Sequence, residues 1–119
     1  MEINLLKQLR ALWVQSRRDL DVKWKRTLPF GDYVVDRWEK AKELGFGEGT
    51  SCYDSVVIIE DVKVGRDTWI GPFVVLDGSA SLTIGSNCSI SAGVQIYSHD
   101  SVKWATSGGQ MSYEKAPTQ

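Results

Sequence analysis

Residues 52–99 read CYDSVVIIEDVKVGRDTWIGPFVVLDGSASLTIGSNCSISAGVQIYSH, and this stretch decides the fold. An aliphatic residue or a cysteine, of the types usually found in protein cores, recurs at every sixth position, with two extra residues inserted between Leu76 and Ile84. A period of six matches neither an α-helix nor a simple alternating strand. It is a hexapeptide repeat, a pattern typical of solenoids. The repeating positions are Cys52, Ile58, Val64, Ile70, Leu76, Ile84, Ile90 and Ile96.

Pairs of turn-forming residues keep a constant phase within this repeat. An ordinary antiparallel sheet is the alternative interpretation, because a period of two divides six. Alternation of apolar and polar residues does not explain why the turn-forming pairs keep the same position in the repeat. Corners between short strands do explain it. The sequence therefore predicts a mainly β fold in which short strands and corners wind in register. The pairs are Arg66-Asp67, Pro72-Phe73, Gly78-Ser79, Ser86-Asn87 and Ala92-Gly93.

Residues 54–119 resemble the hexapeptide-repeat acyltransferases, a family with a left-handed parallel β-helix. The most repeat-like segments are Val64–Gly71, Leu76-Asp77-Gly78 and Ile84–Asn87. The chain looks most like the sugar or polysaccharide O-acetyltransferases, because the repeat closes on Ile96-Tyr97-Ser98-His99-Asp100 and a long loop follows. The resemblance implies a left-handed parallel β-helix over residues 51–119, with a protruding loop at 100–117 and an N-terminal helical cap over residues 1–50.

The same resemblance assigns the repeating residues to three faces of a triangular coil. We expect Cys52, Ile70 and Ile90 on the first face. Ile58, Leu76 and Ile96 then share the second face, and Val64 and Ile84 share the third. We expect buried side chains at Ile58, Val64, Ile70, Leu76, Ile84, Ile90 and Ile96.

The first part of the chain predicts two helices. From Ile3 to Trp24, apolar residues recur at helical spacing with Lys and Arg between them, and residues 1–27 hold seven basic residues and three acids. This helix either packs against the body with a solvated basic face or lies on an anionic membrane surface. Asp32 is the expected N-cap of the second helix, which ends at Gly45 with Phe46 folding back.

Composition excludes several classes of protein. A formal net charge of −1 provides no field that would gather nucleic acid, so we expect no nucleic-acid partner. Cys52 and Cys88 both fall at inward positions, which predicts two reduced, buried thiols. These thiols, together with the lack of an evident export signal or membrane span, predict a cytoplasmic protein.

His99 is the only histidine of the chain and the predicted catalytic residue. The acyltransferases that the chain resembles use a single histidine beside a protruding loop as general base. Histidine suits this role, because its charge changes near neutral pH. The base takes the proton of a hydroxyl as the oxygen attacks a thioester, with no covalent enzyme intermediate. Asp100 is the predicted catalytic support, and it either orients the imidazole or caps the turn.

The resemblance also implies the substrates and the assembly. Acetyl-CoA is the expected acyl donor, and a hydroxyl or amine of a sugar or glycan is the expected acceptor. Tyr97, Trp104 and Tyr113 are the predicted substrate-binding residues, with flat faces for a sugar ring; packing on the loop's own base is the alternative role. The family forms trimers with its sites at subunit interfaces, where the loop reaches over a neighbouring subunit, so the resemblance implies a homotrimer. Of the two interpretations of the basic N-terminal helix, the second would make it the segment that contacts a membrane.

Three further expectations bound the function. No metal site is predicted, because one histidine cannot supply the three ligands of a carbonic-anhydrase-type zinc centre. The family normally continues with further coils, whereas this sequence stops at Ala116-Pro117-Thr118-Gln119, so we expect a piece of a longer enzyme without most of its acyl-donor site. The alternative function is a non-catalytic β-helical assembly or binding module.

Overall fold

The computed structural model describes residues 2–119, apart from the side chain of Glu2. Three helices come first, short strands follow, and a fourth helix lies near the end of the chain. The elements are α1 (Glu2–Trp24), α2 (Phe30–Val34), α3 (Arg37–Glu43), β1 (Ser51–Cys52), β2 (Val57–Val64), β3 (Trp69–Ile70), β4 (Val75–Ile84), β5 (Ser89–Ile90), β6 (Gln95–Ile96), β7 (His99–Asp100), α4 (Val102–Thr106) and β8 (Glu114–Lys115).

The predicted amphipathic helix is confirmed as α1. Its second half approaches the body, where Leu20 is half-buried. The first half leaves its apolar side chains exposed, so one chain by itself does not cover the apolar stripe of α1. The exposed residues of this half are Ile3, Leu5, Leu6, Leu9, Leu12 and Trp13.

The second predicted helix is split in two, and the prediction of Asp32 as its N-cap is wrong. The chain becomes extended at Val35 and Asp36, so the helix restarts at Arg37. The Asp36 carboxylate caps α3 by accepting hydrogen bonds from the amides of Trp38 and Glu39 at 2.9 and 3.0 Å. Asp32 instead accepts a hydrogen bond from the amide of Ser55 at 3.2 Å.

The end of α3 has the predicted geometry. Gly45 adopts a φ of +77°, and its amide donates to the Lys42 carbonyl at 3.0 Å. The amide of Phe46 donates back to the Ala41 carbonyl at 2.9 Å, and the Phe46 side chain is buried. This left-handed glycine turn ends the helix and folds the chain toward β1. Three hydrogen bonds from Lys40 Nζ, to the carbonyls of Tyr53, Asp54 and Val56, then hold α3 against the segment after β1.

The strands pair in parallel in the register that the repeat predicts. One sheet has the order β1-β3-β5 and a second has the order β2-β4-β6. Cys52 pairs with Ile70 and Ile70 with Ile90 in the first sheet, while Leu76 pairs with both Ile58 and Ile96 in the second. Val64 pairs with Ile84. The predicted pairing of these residues is therefore confirmed, but Val64 and Ile84 lie in the same sheet as Ile58 and Leu76, so the described residues form no separate third face.

Burial follows the repeat closely. Of the seven side chains that we expected to be buried, Val64, Ile70, Leu76 and Ile90 are buried. The other three are partly buried and pack against this core. Among the expected corners, Asp67, Phe73 and Asn87 adopt positive φ angles of 50°, 60° and 58°, as tight corners require. The partly buried three are Ile58, Ile84 and Ile96.

The prediction of a mainly β, left-handed parallel β-helix is wrong, for the chain and for residues 51–119. The structure is 33% helical and 26% strand, and its short strands form small parallel sheets that neither close nor make a solenoid. The six-residue period is confined to residues 52–96. Outside this range the chain forms helices, with α1 to α3 before it and α4 after it. Local pairing in register thus does not extend to a closed coil.

The segment predicted as a protruding loop at 100–117 contains regular structure. Helix α4 opens it, and β8 closes it by pairing antiparallel with β7. The chain then returns to the body: the Ala116 amide donates to the Ser98 carbonyl at 2.8 Å, and Thr118 bridges to Leu82. Lys103 and Glu114 form an ion pair that joins the two ends of this segment. Within residues 2–119, no helix is long and apolar enough to span a membrane.

Candidate functional site

The candidate site is centred on a contact between His99 and Asp77. His99 lies in β7, and Asp77 lies in β4. Nδ1 of the imidazole is 2.5 Å from Oδ2 of the carboxylate. The Asp77 side chain is completely buried, whereas the His99 side chain is 35% exposed. A buried carboxylate therefore anchors one edge of a ring that solvent reaches.

Neighbouring groups hold the Asp77 carboxylate in its charged form. Oδ1 accepts a hydrogen bond from the Ser79 amide at 3.0 Å, and Oδ2 accepts from the Ser98 amide and the Ser79 hydroxyl, each at 3.2 Å. Burial raises the pKa of Asp77, but the hydrogen bonds from His99, Ser79 and Ser98 outweigh burial and keep this pKa below its ordinary value. Asp77 is consequently ionised at neutral pH.

This environment selects the tautomer of His99. An ionised carboxylate only accepts hydrogen bonds, so the proton of a neutral imidazole lies on Nδ1. Both hydrogen-bonding contacts of the ring, to Asp77 and to Ser79 Oγ at 3.1 Å, involve Nδ1. Among the described residues, no group hydrogen bonds to Nε2. The lone pair of Nε2 is therefore available to accept a proton from a bound molecule.

Asp100, the predicted catalytic support, does not hydrogen bond to the imidazole as Asp77 does. Its Oδ1 accepts a hydrogen bond from the amide of Val102 at 2.6 Å, at the start of α4. Of the two roles considered for Asp100, the structure shows the cap of the turn. The carboxylate that orients His99 belongs instead to Asp77 of β4.

Two of the three predicted aromatic residues contact His99, and the third stacks on one of them. Tyr97 and Tyr113 each meet the imidazole edge to face, with ring centroids 6.2 and 6.3 Å away. Trp104 stacks on Tyr113 at 5.3 Å with an interplanar angle of 13°. Trp104 and Tyr113 thus cover one face of each other, which is the packing within the loop that was considered as their alternative role. Tyr97, Trp104 and Tyr113 are all exposed residues.

A cavity of about 470 Å³ opens beside the imidazole. Its lining includes Tyr97, His99 and Asp100, together with Glu114 and Lys115 of β8, the strand paired with β7. Trp104 and Tyr113 are not among its lining residues. The cavity is within the size range of small-molecule sites.

Sequence reasoning missed Asp77, Ser79 and Ser98, although the repeat contained the signal. Leu76 pairs with Ile96 across β4 and β6, so the residues after them run side by side. This register brings Asp77 next to Ser98 and Ser79 next to His99. Because Leu76 and Ile96 were already assigned to one face, extending that register by three residues would have paired Ser79 with His99 and indicated that Asp77 lies nearby.

Metal ligation is the remaining chemistry to consider at this site. Within residues 2–119, no three His, Cys, Asp or Glu side chains cluster as metal ligands do.

No protein-family model matches the chain, and no curated protein matches it. The resemblance to the hexapeptide-repeat acyltransferases therefore rests on the residues of the repeat and on His99.

Proposed function

We propose that this protein transfers an acetyl group from acetyl-CoA to a hydroxyl, or an amine, of a sugar or glycan, with His99 as general base. The observation that carries the proposal is the contact of 2.5 Å between His99 Nδ1 and the buried Asp77 carboxylate. It fixes the tautomer in which Nε2 is unprotonated, on a side chain that is 35% exposed. Such a base accelerates transfer to a hydroxyl by roughly 10²–10⁴-fold.

The reaction needs only proton transfers and the replacement of one carbon–sulfur bond by one carbon–oxygen bond. The acceptor oxygen attacks the thioester carbonyl carbon as Nε2 of His99 takes the hydroxyl proton. The tetrahedral intermediate then collapses, the carbon–sulfur bond breaks, and the imidazolium returns the proton to the leaving sulfur. The products are the acetyl ester and the free thiol of CoA. Asp77 stabilises the transient imidazolium because its charge lies against Nδ1.

The surroundings of His99 support a sugar acceptor. Tyr97 is exposed beside the imidazole and lines the same cavity. An exposed aromatic ring offers an apolar face together with a polar hydroxyl, which suits the mixed surface of a sugar. Glu114 and Lys115 also line this cavity and supply further polar side chains for acceptor hydroxyls. We assign acceptor binding to Tyr97 first. Tyr113 packs against the imidazole of His99, and Trp104 supports Tyr113 by stacking on it.

The assembly and location of the protein stay predictions. The exposed apolar half of α1 supports either a homotrimer, in which a second copy covers it, or contact with an anionic membrane. Flotation with anionic and neutral vesicles tests the membrane contact, which equal binding to both would contradict. A cytoplasmic location is consistent with the two free thiols, Cys52 and Cys88, and fractionation of cells tests it.

Release of CoA thiol in the presence of sugar acceptors tests the proposed function. We expect acceptor-dependent release by the full-length protein and loss of that release when the imidazole is removed. Acceptor binding with no thiol release, in a protein that also binds acetyl-CoA, would instead identify a binding module. Binding is measured by calorimetry on the same preparation, so the two outcomes are separable.

A further inference from the structure

A second and larger cavity, of about 580 Å³, lies between α1 and the rest of the protein. Leu20 and Trp24 of α1 form one wall, and Tyr33, Tyr53 and Trp69 form the other. None of its lining residues belongs to the cavity beside His99. The cavity is large enough for a small organic molecule and has no part in the proposed acetyl transfer.

Three cationic side chains line this second cavity without an acidic partner. They are Lys23, Arg26 and Arg37. Among the described residues, the only ion pairs are those of His99 with Asp77 and Lys103 with Glu114. Asp19, a carboxylate in the same lining, accepts a hydrogen bond from Gln15 at 2.9 Å. The cavity therefore presents positive charge that no side chain neutralises by direct contact.

Aromatic rings hold the two guanidinium groups in position. Arg26 Nη1 donates a hydrogen bond to the hydroxyl of Tyr53 at 3.3 Å. The guanidinium of Arg37 lies 4.5 Å from the Tyr53 ring centroid, and Trp69 meets the same ring edge to face at 5.8 Å. Tyr53 is itself buried. A guanidinium stacked on a fixed ring keeps its N–H groups free for an anionic oxygen.

The cavity also contains a hydrogen-bond acceptor that lacks a donor. Oδ1 of Asp32 accepts from the Ser55 amide, whereas Oδ2 is buried without a hydrogen-bond partner among residues 2–119. An unpaired buried carboxylate oxygen is unfavourable unless a donor reaches it. Because Oδ2 has almost no accessible surface in the free protein, a hydroxyl or amino group of a bound molecule reaches it only when the Asp32 side chain rotates toward the cavity.

We propose that this cavity binds a phosphorylated small molecule that carries hydroxyl groups, such as a sugar phosphate or a nucleotide. Arg26, Arg37 and Lys23 bind the phosphate, Asp32 accepts a hydrogen bond from a hydroxyl, and Trp69 packs against the ring. Arginine is well matched to phosphate because its planar fork donates two parallel hydrogen bonds. The opposite charges of Arg26 and Asp32 select a molecule with both an anionic group and a donor.

Calorimetric titration of the 119-residue chain with four probes tests this proposal. The probes are glucose 1-phosphate, uridine 5′-monophosphate, inorganic phosphate and glucose. We expect glucose 1-phosphate or the nucleotide to bind at least about tenfold more tightly than inorganic phosphate or glucose, since only the first two combine phosphate with hydroxyl groups. The tighter binder of these two shows whether the cavity prefers a hexose or a nucleoside next to the phosphate. Failure of both to bind at millimolar concentration would overturn the proposal.

Matched variants assign the binding to this cavity. Arg26→Gln should weaken binding by about tenfold, because it removes a charged donor from an exposed position without disturbing the core. Arg10→Gln is the control, since Arg10 is an exposed arginine of α1 outside the cavity. Asp32→Asn should reduce the preference for glucose 1-phosphate over inorganic phosphate.

Equal weakening by Arg26→Gln and Arg10→Gln would show binding by general charge and would contradict the proposed site. His99→Ala should leave this binding unchanged, because the two cavities share no residue. The test is therefore independent of acetyl transfer. Binding that depends on His99 would also contradict the proposal.

Discussion

Nδ1 of His99 lies 2.5 Å from Oδ2 of Asp77, a carboxylate that precedes it by 22 residues and is completely buried. The parallel pairing of β4 with β6 brings these two residues together. Buried carboxylates at histidine Nδ1 hold the ring in one tautomer and orient Nε2 toward a substrate. The relationship provides the physical basis for the proposed general base.

Asp77→Asn should lower kcat for acetyl transfer by roughly 10²–10⁴-fold while leaving acetyl-CoA affinity unchanged. An asparagine amide carries no charge to stabilise the imidazolium, and it does not select one tautomer. The matched control is Asp100→Asn, which should have little effect because an amide oxygen still accepts from the Val102 amide. Equal losses in the two variants, with both proteins folded by circular dichroism, would contradict the assignment of Asp77.

The same carboxylate should make stability depend on acid pH. The pKa of Asp77 is lower in the folded protein than its ordinary value, so below about pH 4 the unfolded chain binds more protons at this position. The stability from Asp77 is present above that pH and is lost as pH falls through the lower, folded pKa. Urea unfolding across acid pH should show a steeper loss in the native protein than in Asp77→Asn. Parallel curves would contradict the assigned environment.

The two cysteines should differ in reactivity. Cys52 is completely buried, whereas Cys88 is half-buried, so the prediction of two buried thiols holds only for Cys52. Burial raises the pKa of the Cys52 thiol from 9.0 to about 11. A thiol reagent at mildly alkaline pH should therefore modify Cys88 first and Cys52 only after unfolding. Rapid modification of the remaining thiol in Cys88→Ser would contradict this expectation.

Cys52 should also limit stability at alkaline pH. Between pH 9.0 and about 11, the thiol ionises in the unfolded chain but stays protonated in the folded one. The unfolded state then binds fewer protons, so the free energy of unfolding decreases as pH rises through this window. Urea titrations should show a weaker alkaline decrease for Cys52→Ala than for the native protein, whatever the absolute stability of the variant.

The exposed half of α1 should be covered in an assembly of three chains. Leu5, Leu9 and Leu12 are exposed in one chain, and such a stripe is unfavourable in water. Sedimentation of the full-length protein at micromolar concentration should give a homotrimer. A double change, Leu5→Glu with Leu9→Glu, should shift the protein toward the monomer if α1 contributes to the interface. A clean monomer for the native protein would contradict the predicted assembly.

The sequence predicted local pairing and burial better than architecture. The six-residue period identified Ile70 and Leu76 as core residues and paired them correctly, because side chains at one phase of the repeat face one side. The period carries no information on how many strands join a sheet. A closed coil was therefore an extrapolation, and the structure has small open sheets instead.

The candidate site was predictable in part for the same reason. His99, Tyr97 and Tyr113 were singled out by residue type and position, and they lie in contact. Asp77 was missed because its side chain follows an inward aliphatic residue and resembles one more turn residue in the sequence. Its burial and its contact with His99 arise only from the register between two strands that are distant in the chain.

The most direct test of the account is the turnover of His99→Ala in the full-length protein, measured by acceptor-dependent release of CoA thiol. We predict a kcat lower by roughly 10²–10⁴-fold with unchanged acetyl-CoA affinity, because the base acts on the acceptor proton and not on donor binding. A folded His99→Ala protein that retains most of its turnover with a proven acceptor would contradict the catalytic assignment.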